Sequence, residues 1–172
     1  KNIFLFEGSS AVYNPNGDLV LTGKPYKEEL LEINLPTKKT VNDPKISDNK
    51  DIEELYEGLI YGLKKFFEQA KIKKAVIGVS GGIDSAVSTS LITTVLGKEN
   101  VVGINMPSKF NSDLTKKAAK KMATNLGIDY KIIPIQTGVD LTVSELNKVG
   151  LEINDLVLEN IQARDRGSRI LA

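Results

Sequence analysis

The chain has no cysteine and no histidine. Without cysteine there is no disulfide, no thiol nucleophile and no thiolate metal site. Without histidine a Ser-His-Asp triad and a zinc-hydrolase site are excluded. Long apolar runs are also missing: no stretch approaches the ~18–20 residues needed to span a bilayer. Lys1-Asn2-Ile3-Phe4-Leu5-Phe6 is too short for a signal peptide and is closed by Glu7. Nor is there an excess of one charge. The net charge of +1 suggests neither a nucleic-acid surface nor a membrane surface. Carboxylates, hydroxyls, Lys, Arg, backbone amides and an oxygen-bound metal are left, and that inventory suits phosphate chemistry. With 172 residues, 41% hydrophobic and 26% charged, the composition is ordinary for a globular protein. The chain starts with Lys and stops at Ala172 in an apparent helix, so the expectation is a piece of something longer.

The most informative stretch is Ala75-Val76-Ile77-Gly78-Val79-Ser80-Gly81-Gly82-Ile83-Asp84-Ser85. Ala75 to Val79 reads as a buried, central parallel strand. Gly81 and Gly82 supply a tight turn that lets a ligand approach the main chain. A helix begins near Ile83, so its first N–H groups point back into the turn. With the Ser80 and Ser85 hydroxyls they make an anion site. Asp84 lies on the rim, where a cation between it and a phosphate is expected, and Mg²⁺ is the natural candidate.

The rest of the chain frames this turn. Residues 1–35 read as β structure: an apolar run at Ile3–Phe6, then a hairpin through Asn14-Pro15-Asn16-Gly17-Asp18. Glu29–Leu35 could be another strand or the start of a helix. Pro36–Lys50 is a linker by composition. Asp51–Lys71 is an amphipathic helix whose Tyr and Phe stripe is expected in the core. Its acidic start and its lysines toward the end suit the helix dipole. Ile83–Leu96 is a helix capped by Gly97, and Val101–Met106 is a strand. Asn111-Ser112-Asp113 caps a helix with Leu114, Ala118, Met122 and Leu126 inside. Lys116, Lys117, Lys120 and Lys121 cover its other face, expected as a solvated face ahead of a phosphate patch. Tyr130–Ile135 is a third strand. This order implies an α/β fold: a three-layer parallel sheet with helices on both faces, preceded by a short β segment from a second domain. Ligands of such sheets bind at the strands' carboxyl ends. The loops there are Ser80–Ser85, Pro107–Asn111 and Gln136–Gly138. Ser108 or Lys109 could contribute to a nucleoside site.

A second constellation is Glu159-Asn160-Ile161-Gln162-Ala163-Arg164-Asp165-Arg166-Gly167, on a helix from Asp155 onward. Asn160 and Arg164 share one face, Gln162 and Arg166 another. Arg can hold phosphate or carboxylate bidentately, and Asn or Gln can read ribose hydroxyls or an amide. On spacing alone, an exposed salt-bridged helix, for example with Glu159 paired to Arg166, fits equally well.

Ser80-Gly81-Gly82-Ile83-Asp84-Ser85 resembles the SGGxDS loop of the PP-loop ATP pyrophosphatases, which cleave ATP between the α- and β-phosphates and adenylate a substrate. It is neither a Walker A motif nor G-x-G-x-x-G. Glu159–Gly167 resembles the E-N-x-Q-A-R-x-R-G motif of NAD synthetases. Ser9–Leu19 and Glu29–Leu35 are similar to the closing strands of nitrilase-like glutaminase domains. Together these features resemble the glutamine-dependent NAD synthetase family, over nearly the whole chain and most weakly over residues 136–150. The resemblance implies a glutaminase-domain tail at 1–35, a linker at 36–50, and at 51–172 the N-terminal part of the synthetase domain.

It further implies that Gly78, Val79, Ser80, Gly81, Gly82, Ile83, Asp84 and Ser85 bind ATP and that Asp84 ligates Mg²⁺. Glu159, Asn160, Gln162 and Arg164 would bind deamido-NAD. No residue is assigned to the bond-making step itself. The implied enzyme is a cytoplasmic ligase of NAD biosynthesis, a homodimer or higher homo-oligomer. It adenylates deamido-NAD and amidates it with ammonia drawn from glutamine. The 172 residues alone are expected to be inactive, since the family's later site residues would follow Ala172. The alternatives are another PP-loop adenylating enzyme (GMP synthetase-like or tRNA-modifying) and a non-catalytic nucleotide-binding module.

Overall fold

The structure, a computed structural model, describes residues 4–35 and 48–172, with the backbone alone at 48–50. The chain divides into two compact units, Lys1–Glu68 and Gln69–Ala172.

In the first unit, β1 (Ala11–Tyr13) and β2 (Leu19–Thr22) form the expected antiparallel hairpin, with an irregularity between Val12 and Tyr13. Asn14 organises its turn. The Asn14 Oδ1 accepts from the amides of Asn16 and Asp18, both at 2.9 Å, which is an Asx-turn arrangement. Two expectations fail here. Phe4–Phe6 and Glu29–Leu35 are irregular, neither strand nor helix. Ile3 and most of the expected linker, residues 36–47, lie outside the described residues.

Helix α1 (Asp48–Ala70) starts three residues before the expected Asp51 and ends where Lys71 turns left-handed, at φ +56°. Its last turn carries no basic residue, so the expected dipole match of Lys71 is not made inside the helix. The residues before β1 and after β2 pack along one line of α1. Leu5 lies against Gly62, Tyr26 lies against Gly58 and stacks on Tyr61 at 5.7 Å, and Glu28 pairs with Lys65 at 3.7 Å. Positions 58, 61, 62 and 65 follow the helical repeat. That line is offset from the apolar stripe, so Ile52, Leu55, Tyr56, Leu59 and Phe66 are exposed rather than in a core.

The second unit is the α/β layer structure. Its elements are β3 (Ala75–Gly78), α2 (Ile83–Leu96), a short 3₁₀ turn, β4 (Val101–Asn105), α3 (Asp113–Leu126), β5 (Asp129–Ile132), α4 (Gln136–Lys148) and α5 (Asp155–Leu171). The strands run parallel in the order β3-β4-β5, with Ala75 opposite Val101 and Val102 opposite Asp129. Alternation of side chains assigns the two faces. Ile77 and Val101 join Ala123 and Ile128 under α2 and α3. Ile104, Met106 and Ile133 join Ile135, Val139, Leu158 and Ile170 under α4 and α5. Ile135 and Val139 are almost wholly buried, and each such side chain contributes roughly 1.5–3 kcal/mol of burial free energy.

Several boundaries and faces differ from expectation. β3 was expected to be central and buried, yet among the described residues it is an edge strand. Only β4 pairs with it, and Val76 is 48% exposed. Val79, just beyond it, is the buried member of that run. On α3 the inward residues are Ala119 and Ala123, while Leu114 is 77% exposed and Ala118 is exposed too. The face is rotated by one position because two alanines let the helix lie close on the sheet, whereas Leu114 sits in the first turn, away from it. Ile83 and Val87 of α2 are likewise exposed. In that helix Thr89, Ser90, Thr93 and Thr94 each donate to the carbonyl four residues earlier, at 2.6–3.0 Å. Thr89 can therefore be fully buried without an unmet donor. Residues 136–138, expected as a loop, are the first turn of α4, and β5 stops at Ile132 rather than Ile135.

Gly138 of α4 faces α5. A Cβ there would lie 2.5 Å from Asp165 Oδ1 and 3.1 Å from Arg169 Nη2. Those two side chains form a part-buried ion pair at 2.6 Å. Gly138→Ala is expected to force the pair apart and cost about 1–3 kcal/mol. Chemical denaturation of the folded protein, compared with wild type, measures it.

Candidate functional site

The site is built where β3 ends. Val79 makes the last rung to β4, its N–H donating to the Ile104 carbonyl at 2.8 Å. The chain then turns through Ser80, Gly81 and Gly82 into α2. Gly81 has φ +89°, and a Cβ on it would lie 2.1 Å from the Thr115 carbonyl oxygen of α3. Only glycine meets both demands. Ser112 secures the α3 end of this contact: it is the N-cap, its Oγ accepting from the Thr115 amide at 3.3 Å.

Gly82 is the N-cap of α2 and offers no side chain to its first turn. The amides of Ile83, Asp84 and Ser85 precede the first intrahelical donor, Ala86 N–H, which bonds to the Gly82 carbonyl at 3.2 Å. They form the donor-rich, dipole-positive concavity expected of an anion site. The two serines are knit into the turn rather than standing free. Ser80 Oγ accepts from Gly82 N–H at 3.2 Å, and Ser85 Oγ donates to the Gly82 carbonyl at 3.0 Å. Their hydroxyls are 3.1 Å apart. Asp84 is exposed in the first turn of α2, and among the described residues no three His, Cys, Asp or Glu side chains gather to hold a metal.

A cavity of about 570 Å³ opens beside this turn, between the ends of β3 and β4 and the last turns of α5. Gly78, Val79, Ser80, Met106, Asn111 and Arg166 are among its lining residues. The β4–α3 loop is well fastened. Asn111 Oδ1 accepts from the Ser108 amide at 2.8 Å, and Gln136 Oε1 accepts from the Lys109 amide at 2.9 Å. Ser108 is therefore buried and bonded within its own loop, while Lys109 extends over the Phe110 ring at 5.2 Å. A second cavity of about 190 Å³ lies on the α3 side, lined by Lys116, Lys117, Lys120, Tyr130 and Ile132. Burial pushes the Tyr130 hydroxyl above its usual pKa.

Helix α5 divides its motif between two environments. Glu159, Asn160 and Arg164 are exposed, with Asn160 and Arg164 one turn apart. Gln162, expected beside them, is buried at 8% exposure and is separated from them. Arg166 follows it inward, and its Nε donates to the Met106 carbonyl at 3.2 Å. The suggested Glu159–Arg166 ion pair is replaced by Asp165–Arg169. Arg166, named with Gln162 on one helix face, and Asn105, which no sequence expectation named, both line the cavity. The signal for Asn105 was there: an amide closing the apolar run Val101-Val102-Gly103-Ile104 needs a partner once buried. It is 5% exposed, and its Nδ2 donates to the Val79 carbonyl at 2.7 Å.

Gly81→Ala is expected to displace the turn, because the new methyl meets a backbone oxygen with no rotamer to yield. Stability should fall by more than about 1–3 kcal/mol, with loss of protection of the Ile83–Ser85 amides in hydrogen exchange against added phosphate or nucleotide.

The NAD synthase family profile matches residues 55–171. A glutamine-dependent NAD(+) synthetase of Aquifex aeolicus is 33% identical over 95% of this chain and 35% of its own length. An NH(3)-dependent NAD(+) synthetase of Pyrococcus furiosus is 40% identical over 64% of this chain and 41% of its own. The solved structure of the glutamine-dependent NAD+ synthetase from Acinetobacter baumannii, in complex with ADP, superposes with a TM-score of 0.86 at 29% identity. It covers 96% of this chain and 32% of that one. The chain thus spans about a third of the length of the glutamine-dependent relatives it matches. With a glycine turn against α3, an open helix start beside an apolar cavity, and a family match across both, the chain belongs to the NAD synthase family.

Proposed function

We propose that the protein adenylates deamido-NAD with ATP, releasing pyrophosphate, and that ammonia then displaces AMP to give NAD. The observation that carries this reading is the junction of two unlike surfaces at Ser80. On one side are the free first-turn amides of α2, and on the other an apolar cavity large enough for a nucleoside. A nucleoside triphosphate has that same division between charged tail and apolar base. The amides of Ile83–Ser85 and the glycine turn would bind the phosphates, and Gly78, Val79 and Met106 would pack on the nucleoside. The bound ADP of the Acinetobacter baumannii relative supports a nucleotide here.

Mg²⁺ fits the donor set. Asp84 is an exposed carboxylate at the mouth of the turn, and Mg²⁺ is commonly held by one or two carboxylates plus substrate phosphates. When bound, the ion would neutralise charge developing on the departing pyrophosphate. Asp84 would hold it, the α2 amides would orient the phosphate chain, and Ser80 and Ser85 would keep the turn in shape. Asn160 and Arg164 would take deamido-NAD from the exposed face of α5, through the bidentate fork of Arg and the amide of Asn. Glu159 flanks them, and Gln162 would act from beneath by fixing the helix.

Residues 1–35 would be the tail of a glutamine-hydrolysing domain supplying the ammonia, with the domain boundary within residues 36–50. Two facts support this. The glutamine-dependent relatives match 95–98% of the chain, whereas the ammonia-dependent relatives of Pyrococcus furiosus and Thermococcus sibiricus match 64% and 67%. The family profile begins only at residue 55. The assembly would be a homodimer or higher homo-oligomer, working in the cytoplasm.

Pyrophosphate release by the natural full-length protein tests the reading. It should depend on deamido-NAD and not on XMP; the reverse dependence would move the protein to a different adenylating chemistry. Asp84→Asn should cut the Mg²⁺-dependent rate by roughly 10²-fold, the scale of losing one charge-stabilising group. An undiminished rate would remove Asp84 from the metal.

A further inference from the structure

The opening of the main cavity has a local cause. Val79 stands opposite Asn105 in the parallel register set by Gly78 and Ile104. In a parallel ladder the next rung after Val79 N–H to Ile104 would run from the Met106 amide to the Val79 carbonyl. Here the Val79 carbonyl instead takes the side-chain Nδ2 of Asn105 at 2.7 Å. The facing Met106 carbonyl, on the β3 side of β4, takes Arg166 Nε at 3.2 Å. On its other side β4 keeps its neighbour: Ile133 N–H donates to Asn105 at 2.8 Å and Ile135 N–H to Pro107 at 3.0 Å. The ladder therefore ends on one side of β4 only, and it ends at the cavity. Both carbonyls left by the parting strands are met by side chains, so neither is an unsatisfied buried acceptor.

We infer that Asn105 and Arg166 are positioning residues that hold the carboxyl ends of β3 and β4 apart. They thereby set the direction in which Ser80 leaves the sheet and the width of the nucleotide cleft. Asn105 suits the task because it is buried and borders both cavities, so its amide has little freedom to turn elsewhere. A leucine of similar size would leave the Val79 carbonyl without a donor, and the strands would recover it by zipping one rung further. An aspartate would keep the shape and present an acceptor to an acceptor. Arg166 has a second qualification: among the described residues it forms no ion pair. Its guanidinium is therefore anchored through Nε to a carbonyl rather than to a carboxylate.

This inference rests on the nucleotide reading above, and the two can fail separately. In the natural full-length protein, steady-state kinetics are measured for wild type, Asn105→Leu, Asn105→Asp and Arg166→Met, with folding checked by circular dichroism. If wild type forms no NAD from deamido-NAD, MgATP and ammonia, the reading falls, and this inference with it. If wild type is active, the KM for MgATP should rise about tenfold in Asn105→Leu and Asn105→Asp, the scale of one lost buried hydrogen bond. The KM for deamido-NAD should stay near the wild-type value. Arg166→Met, acting at the opposite carbonyl, should shift the same constant in the same direction, which covers the case in which an Asn105 variant does not fold. A folded Asn105 or Arg166 variant with lowered thermal stability but an unchanged KM for MgATP would make these bonds purely structural and overturn the inference.

Discussion

The site depends on a contact between two pieces of backbone. Gly81 can lie against the Thr115 carbonyl only because it has no side chain, and at φ +89° it would resist one in any case. That contact ties the start of α2 to the start of α3, two helix ends that the sheet alone would leave independent. Ser112 strengthens the tie from the α3 side by capping the turn that carries Thr115. The β4–α3 loop is secured in turn by Asn111 and, from α4, by Gln136. A chain of short polar bonds therefore runs from the second parallel crossover back to the glycine turn. The electrostatics of the α2 amides act on a ligand only if this scaffold keeps them pointing together.

The two faces of the sheet do different work. Under α2 and α3 the packing is mostly aliphatic, with Ala119 and Ala123 admitting the helix and a small cavity beside Tyr130. Under α4 and α5 the core is filled by Ile135, Val139 and Met106, and it opens into the main cavity at the end of α5. Alternate strand residues thus build a close layer on one side and a cleft wall on the other. In α5 the division runs through a single motif: Gln162 is buried and Arg166 lines the wall, while Asn160 and Arg164 face outward.

Much of this was legible in the residues. The glycine turn, the α2 span from Ile83 to Leu96, its Gly97 cap and the Ser112 cap of α3 follow from local rules, and local rules act within a few residues. What was not legible depends on distant partners. The place of β3 in the sheet is a matter of which strands pair with it, and a short apolar run reads the same at centre or edge. The α3 face was misjudged by one position because Leu114 looked like core and Ala119 did not, although close helix–sheet packing favours the smaller residue. Helix α4 went unseen because Gln136-Thr137-Gly138 carries turn residues at its start. Asn105 and Arg166 bond across 26 and 60 residues respectively, and no local pattern states such pairings.

The side of β3 away from β4, unpaired among the described residues, bears on how the strand could meet another copy. Among the described residues Ala75–Gly78 has no second strand partner along one edge, with Val76 exposed on it, and such an edge can take another extended segment. The strand is four residues long and is immediately preceded by Lys73 and Lys74, both exposed. In a parallel, in-register pairing of two copies those like charges would be brought beside their counterparts at electrostatic cost, and four residues give few bonds to offset it. The strand that leads into the glycine turn therefore meets a copy of itself in parallel register only against the charge of the lysines that introduce it.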